Sequence, residues 1–422
     1  MLYDLFPVRT TLCIDMKSFY ASIAARQLGL DPLKACIAVV GAEDFDGSIV
    51  LAASPEMKRR FRIKTGNRRF DIPHHPAIHI VNAEMLTYLQ VSVSITETLQ
   101  DYFAPDDLFV YSVDEVFAAF DPVSHMWASA EEAGRHLQQL ILRTTGVPSV
   151  IGIGDNMLLS KLCLDLAAKK TSSGIDRWTY ADVPSVLWPH PVGSMWGIGS
   201  RSQKRLNKMG IRTVGELAKA GEAKLIREFG QAMGSQLYWH AQGVDLTELK
   251  RHPPVKDASI SNGQILMRDY SYDEIKVILL EMTEEVTRRC RKAGVAGNTV
   301  GLMIGYSYDT GGGFSRTRSL SACTNVSRTV YQVLISLLDD HMSTGLSIRR
   351  VSVSLSDFQP DHYAQLNLFE PERDNEKERE IGHVMDEIRD MYGPNAILRA
   401  SSYTDAGTAR HRNLLIGGHR RK

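Results

Sequence analysis

The stretch Leu108-Phe109-Val110-Tyr111-Ser112-Val113-Asp114-Glu115-Val116-Phe117-Ala118-Ala119-Phe120 sets two adjacent acids inside an apolar, β-branched and aromatic run. Such a run predicts a strand pair closing on a tight turn, with Asp114 and Glu115 where the hairpin is narrowest. Neighbouring carboxylates framed by apolar residues repel one another and lose hydration, which is costly unless a cation joins them. Thr11-Leu12-Cys13-Ile14-Asp15-Met16-Lys17-Ser18-Phe19-Tyr20 poses the same problem: an apolar strand ends on Asp15 and runs into a helix. Two strand-borne acidic sites far apart in sequence can converge on adjacent strands and hold hard, oxygen-seeking cations such as Mg²⁺. Paired ions roughly 3.5–4 Å apart serve phosphoryl transfer by activating one oxygen and stabilising the other.

The chain of 422 residues is long enough for several domains with real cores. No apolar run approaches a membrane span and no cleavable basic-apolar leader opens the sequence, so a cytoplasmic protein is expected. Cys13, Cys36, Cys163, Cys290 and Cys323 are odd in number and lack metal-type spacing, which predicts reduced thiols. The formal net charge is zero, yet the charges are segregated. Seven Lys/Arg face one acid between Ser54 and Arg69, and eleven face five between Gly197 and Lys256. From Asp357 to Gly393 the balance inverts to four against eleven. An acidic tail thus cancels basic surfaces that a phosphate backbone would feel locally.

Several further elements are legible in order. Ile37–Gly41 and Ser48–Ala53 read as a hairpin pair, followed by a helix capped by Ser54 with Pro55 at its first position and carrying Lys58, Arg59, Arg60, Arg62 and Lys64. Helices are expected over Val91–Phe103 and Ser129–Thr145. A glycine-containing strand, Val150–Gly154, then leads to a helix bearing Lys161 and a basic end at Lys169-Lys170. Met195-Trp196-Gly197-Ile198-Gly199-Ser200 reads as helix, tight turn, helix, whose following amides can face a phosphate without reading bases. Pro253-Pro254 marks a linker. Beyond it, strand, helix (Tyr272–Lys292), strand (Thr299–Tyr308), strand (Phe314–Leu320), helix (Ser327–His341) and strand (Ile348–Leu355) give a β-α-β-β-α-β order, with Arg268, Arg316, Arg318, Arg349 and Arg350 on strand segments. Gln365-Leu366-Asn367-Leu368-Phe369 precedes an acidic helix, Glu372–Tyr392.

Asp15-Met16-Lys17-Ser18-Phe19-Tyr20 followed by Ser112-Val113-Asp114-Glu115 resembles the catalytic signature of Y-family translesion DNA polymerases, with UmuC and DinB-like bacterial members, and Gram-positive or phage UmuC-like ones, the nearest match. The other motifs follow in the family's order along nearly the whole chain. The resemblance implies an α+β, multidomain right-hand polymerase. Residues 1–23 and 77–177 would be the palm, 24–76 small fingers, 178–250 a helix-hairpin-helix thumb, 257–357 the little finger, and 358–422 a tail. It implies low-fidelity, DNA-dependent translesion synthesis, with two Mg²⁺ held by Asp15, Asp114, Glu115 and the Met16 carbonyl. Tyr20 would be the steric gate beside Phe19, and Leu51 would lie over the nascent base pair. Lys161 would reach the triphosphate of the incoming dNTP.

The family's fingers tyrosine and arginine fall on Pro55 and Lys58, or one residue on with Arg59 in the arginine position, so the tyrosine contact is absent in either register. Primer-template DNA would meet Gly197, Ile198 and Gly199 in the thumb and Arg316 and Arg318 in the little finger. Gln365, Leu366, Leu368 and Phe369 resemble the peptide that docks on the bacterial sliding clamp. Two rivals share parts of this pattern. A nucleotide cyclase can use strand-borne acids and two metals but needs no duplex-gripping hairpin. A non-catalytic DNA-binding derivative would not need all three acids.

Overall fold

A computed structural model describes residues 3–249, 259–343, 345–361 and 372–420. The chain divides into two compact units, Met1–Arg251 with His419–Lys422, and His252–Gly418. The peptide Gln365–Phe369 and the Pro253-Pro254 linker lie outside the described residues.

In the first unit, β1 (Thr11–Met16) leads into α1 (Phe19–Gln27). A small layer follows: β2 (Cys36–Val40), β3 (Val50–Ala53), α2 (Pro55–Phe61) and β4 (Ile78–Asn82). Its strands are ordered β3-β2-β4, antiparallel on one side of β2 and parallel on the other. As expected, Ser54 caps α2 by accepting from the Met57 amide. The helix is shorter than expected, because Arg62 takes a left-handed conformation (φ 60°) and ends it, leaving Arg62 and Lys64 outside. Next come α3 (Met85–Gln100), which begins six residues before the expected start, β5 (Leu108–Val110), β6 (Glu115–Ala119), α4 (Ala130–Thr145), β7 (Ser149–Gly154), α5 (Met157–Leu166) and β8 (Ile175–Trp178).

The larger sheet runs β5-β6-β1-β7-β8, so the strand ending on Asp15 lies directly beside the strand opening on Glu115. Side chains alternate across it. Leu12, Ile14, Val116, Ala118, Ile151 and Ile153 join the core under α1, α3 and α4. Cys13, Phe117 and Val150 turn the other way, to a patch shared with Met157 and Leu164 of α5. Gly152 and Gly154 let α5 sit close on β7. A Cβ at either would lie 2.3 Å from the Leu164 amide nitrogen or 2.2 Å from that of Ser160, distances no real side chain tolerates. This close approach brings the polar residues of α5 over the strand ends that carry the acids.

Four short helices complete the unit: α6 (Ser200–Lys208), α7 (Val214–Lys219), α8 (Glu222–Phe229) and α9 (Gln231–Ala241). The hairpin before α6 is entered from a 3₁₀ turn, Val192–Ser194, and not from a full helix. Pro191 and Gly193 oppose helix continuation, and Gly193 packs so tightly on Gln203 that a Cβ would lie 2.4 Å away.

The second unit follows the expected β-α-β-β-α-β order: β9 (Ser259–Tyr270), α10 (Tyr272–Lys292), β10 (Val295–Tyr306), β11 (Gly313–Thr324), α11 (Ser327–His341) and β12 (Ile348–Pro360). The strands are longer than their apolar cores and are ordered β11-β10-β12-β9, all antiparallel. Val300, Leu302, Ile304, Val351, Val353 and Leu355 pack under α10 and α11. The acidic helix α12 (Glu372–Tyr392) forms a third layer on these two helices, and a short α13 (Ala409–Arg412) follows.

Candidate active site

Asp15 and Glu115 are direct cross-strand partners, and the Met16 amide donates to the Asp114 carbonyl (2.9 Å), tying the first acid's strand to the turn of the second. The turn closes on Glu115 itself, whose carbonyl accepts from the Tyr111 and Ser112 amides (3.0 and 3.1 Å). Asp114 accepts from the Ser112 hydroxyl (2.7 Å) and Glu115 from the Cys13 thiol (3.1 Å). The expected convergence of the three acids is therefore present. Among the described residues, though, no three acid, histidine or cysteine groups form a ready-made metal cage.

Cations already surround the acids. Lys161, on α5, lies 2.8 Å from Glu115 and 3.0 Å from Asp165. Lys169 lies 3.2 Å from Asp15 and 2.8 Å from Asp165. Burial pushes the Asp15 carboxyl up to about 6 even though Lys169 opposes the shift. Burial works against the charge on Lys161 and Lys169, but their carboxylate partners outweigh it and hold both above the usual lysine range.

The remaining predicted residues divide into those that join this cluster and those that do not. Lys58 reaches over from α2 to the Ser18 hydroxyl (2.9 Å), at the left-handed residue (φ 45°) that turns β1 into α1. Burial lowers its pKa, with the charge on Lys169 adding to the effect and that on Asp15 opposing it. Arg59 turns back onto Glu56 (2.5 and 2.8 Å) and is largely exposed, so of the two registers only Lys58 belongs to the cluster. Tyr20 is half-buried and stacks face to face on the buried Tyr88, with centroids 4.1 Å apart and planes 10° apart. Burial, with the charge on Asp114, raises its hydroxyl pKa. Phe19 is a correction: it is 3% exposed and packs into the core as a support, with no face open to a nucleotide. Met16 offers only its backbone, since its side chain is buried, and Leu51 is half-buried against the same core.

The Lys161 side chain is 10% exposed and shared between Glu115 and Asp165, whereas that of Lys169 is 36% exposed. Sequence reading quoted Lys169 only as part of a basic end and missed Asp165. The usable signal was the spacing 161, 165, 169, which puts all three on one helical face.

At the hairpin, Gly197 is left-handed (φ 88°), and a Cβ at Gly197 or Gly199 would meet open space, so the turn is accessible; Ile198 between them is buried. In the second unit the register sets Arg316 opposite Leu302 and Arg318 opposite Val300, on the face that carries the helices. Arg318 is moreover paired with Asp340 and Ser336 of α11 (both 2.8 Å). Both arginines therefore lie off the open sheet face. Arg350 does lie on that face, beside Gly305 and Ile265.

The mixed sheet, with acids at the meeting ends of two antiparallel strands and the ammoniums of Lys161 and Lys169 beside them, is the architecture of a right-hand polymerase. Residues 14–165 match the impB/mucB/samB family model, residues 257–368 that family's C-terminal domain, and residues 193–245 the thumb domain of DNA polymerase iota. The chain is 48% identical to the UV-damage repair protein UvrX of Bacillus subtilis (strain 168), over 99% of each chain. It is 36% identical to DNA polymerase IV 2 of the same organism, over 96% of this chain and 97% of that one. A solved Y-family DNA polymerase chimera of Dbh and Dpo4 shares the fold, with a TM-score of 0.67 at 19% identity, covering 85% of this chain and all of the other. The chain belongs to the Y family of DNA polymerases.

Proposed function

We propose that this DNA polymerase performs translesion synthesis by a two-Mg²⁺ nucleotidyl transfer centred on Asp15, Asp114 and Glu115. The observation that carries this is the cross-strand pairing of Asp15 with Glu115 beside Asp114. The donor set fits a hard divalent cation: it is made of oxygens, with Asp15 and Glu115 paired across two strands beside Asp114. Asp15, Asp114, Glu115 and the Met16 carbonyl would hold the ions. When bound, they would lower the pKa of the primer hydroxyl and neutralise the triphosphate.

The rest falls to the chain's own groups. Lys58 and Lys169 stand at the edge of the acids, where they orient the triphosphate of an incoming dNTP and balance charge as it builds. The Tyr20 ring, held flat by Tyr88, limits the room under the sugar. The open Gly197–Gly199 turn takes the duplex backbone through amides, without reading sequence. Gln365, Leu366, Leu368 and Phe369 would dock the chain on the bacterial sliding clamp. Among the described residues no helix is long and apolar enough to cross a membrane, and the enzyme would act in the cytoplasm. The names of the relatives, a UV-damage repair protein and a DNA polymerase IV, support this reading.

Primer extension on matched damaged and undamaged templates, with and without clamp, tests it. Extension past the lesion that requires Mg²⁺ is expected. A purified protein that extends neither template would end the proposal.

A further inference from the structure

Asp165 has no place in the mechanism above, yet it sits at the middle of the charge pattern. Glu115, Lys161, Asp165, Lys169 and Asp15 form a chain of alternating charges with neighbour distances of 2.8, 3.0, 2.8 and 3.2 Å. The two outer members are metal-binding acids; the central one is not, and it receives one ammonium on each oxygen: Lys169 on Oδ1 and Lys161 on Oδ2. Its i,i+4 spacing to both lysines, on α5 and the turn after it, makes this a built arrangement rather than a chance meeting of long side chains.

We infer that Asp165 is a positioning residue that shares Lys161 and Lys169 with Glu115 and Asp15 and gives each ammonium a second partner to rest on when a metal ion takes those outer acids. This rests on the reading that Asp15, Asp114 and Glu115 bind divalent ions. An ammonium and a metal ion compete for the same carboxylate oxygens, so any group that holds the ammonium elsewhere favours the metal. Once the outer acids are taken, each lysine has lost one of its two partners, and Asp165 is the one that remains. Lysine suits this exchange, being a flexible point charge without a fixed fork. Without Asp165 the ammoniums would have only Asp15 and Glu115 to hold in the free enzyme, and would swing loose in the loaded one.

The test compares Asp165→Asn, Asp165→Glu and the Lys161→Met/Lys169→Met double variant, with and without Asp165→Asn. Mn²⁺ binding to DNA-free protein is followed by electron paramagnetic resonance, and KM for dNTP and kcat are measured at saturating Mg²⁺. Asp165→Asn is expected to weaken Mn²⁺ binding about tenfold and raise KM by a similar factor, with kcat changed by less than about threefold. Asp165→Glu should recover most of both. In the double-methionine background Asp165→Asn should shift Mn²⁺ affinity by less than about twofold, the residue of long-range charge. An equal loss in both backgrounds would make Asp165 a plain charge or a ligand and overturn the inference. So would a variant that melts at a lower temperature but binds Mn²⁺ and dNTP as the parent does. If instead Mn²⁺ binding by the parent survives Asp114→Ala and Glu115→Ala, the metal reading itself falls, and the inference with it.

Discussion

Each unit buries a cluster of acids, and the two are neutralised by different chemistry. In the first unit Asp15 and Glu115 face the ammoniums of Lys169 and Lys161. In the second, Glu284 on α10 lies between Arg389 (2.9 Å) and Arg399 (2.6 Å), and Arg291 grips Asp386 with two nitrogens (2.7 and 3.0 Å). Glu281 meanwhile accepts from the amides of Thr408 and Ala409 (3.0 and 2.9 Å). A guanidinium fork and backbone amides have fixed directions, so their acids are committed partners; a lysine can leave. The arginine cluster fastens α12 and the segment after it, which lie beyond the residues matched by the three family models, to α10. The contrast separates buried charge that keeps a structure closed from buried charge that keeps a site available.

That contrast can be broken most severely at the first cluster. Asp114→Ala or Glu115→Ala should cut nucleotide addition by at least about a thousandfold while DNA binding stays near its parental value. Appreciable polymerase rates in either folded variant would mean the acids are not metal ligands. The matching change in the second unit, Glu284→Ala, should leave the chemistry intact and lower the stability of that unit by about 3–5 kcal/mol, because Arg389 is left buried without its partner. Urea unfolding followed by circular dichroism measures it. An unchanged midpoint would show that the arginine cluster does not lock the tail.

At the edge of the first cluster, Tyr20→Ala should admit ribonucleotides, raising rNTP relative to dNTP insertion by about tenfold or more, since the ring stacked on Tyr88 no longer fills the space under the sugar. Single-nucleotide insertion kinetics decide it, and unchanged discrimination would reduce Tyr20 to core packing.

Why one cluster was legible in sequence and the other was not follows from their geometry. Acids on apolar strands stand out, because a period-two run has no use for Asp15 or Glu115, and adjacent strands then pair them. The β-α-β-β-α-β order and the ranges of α10, α11 and α12 were readable for the same reason, their apolar periods being intact. Arg389, Arg399 and Glu284 lie in polar helical or loop surroundings where charge is ordinary, and only the fold shows that Glu284 and Arg389 are buried and that Arg399 reaches Glu284. That Arg316 and Arg318 lie on the helix-bearing face was not legible, because alternation gives two faces and the sequence does not say which one the helices cover. Phe19 failed because it and Tyr20, though neighbours, point to different surroundings.

The smallest expected effect concerns an acid of a third kind, one that is paired but near solvent. Glu274 sits in the first turn of α10, accepts from the Ser271 amide (2.9 Å) in a capping box, and meets Arg268 at 2.6 Å. The Arg268 hydrogen bond, with the Ser271 bonds, holds its carboxyl at about 2. A depressed carboxyl stabilises the folded state in full above its unfolded pKa of roughly 4.3, and that contribution is lost as pH falls from there toward 2. The side chain is partly open to water, so screening keeps the contribution below about 1 kcal/mol, well short of the cost of breaking Glu284. Glu274→Gln keeps a cap acceptor but removes the charge. The urea midpoints of parent and variant should therefore differ slightly at pH 6, with roughly half of that difference gone by pH 3. Raising the salt at pH 6 should shrink it too, because the pair lies within reach of mobile ions. A gap that ignores both pH and salt would show that the capping geometry, not the charge, is what Glu274 contributes.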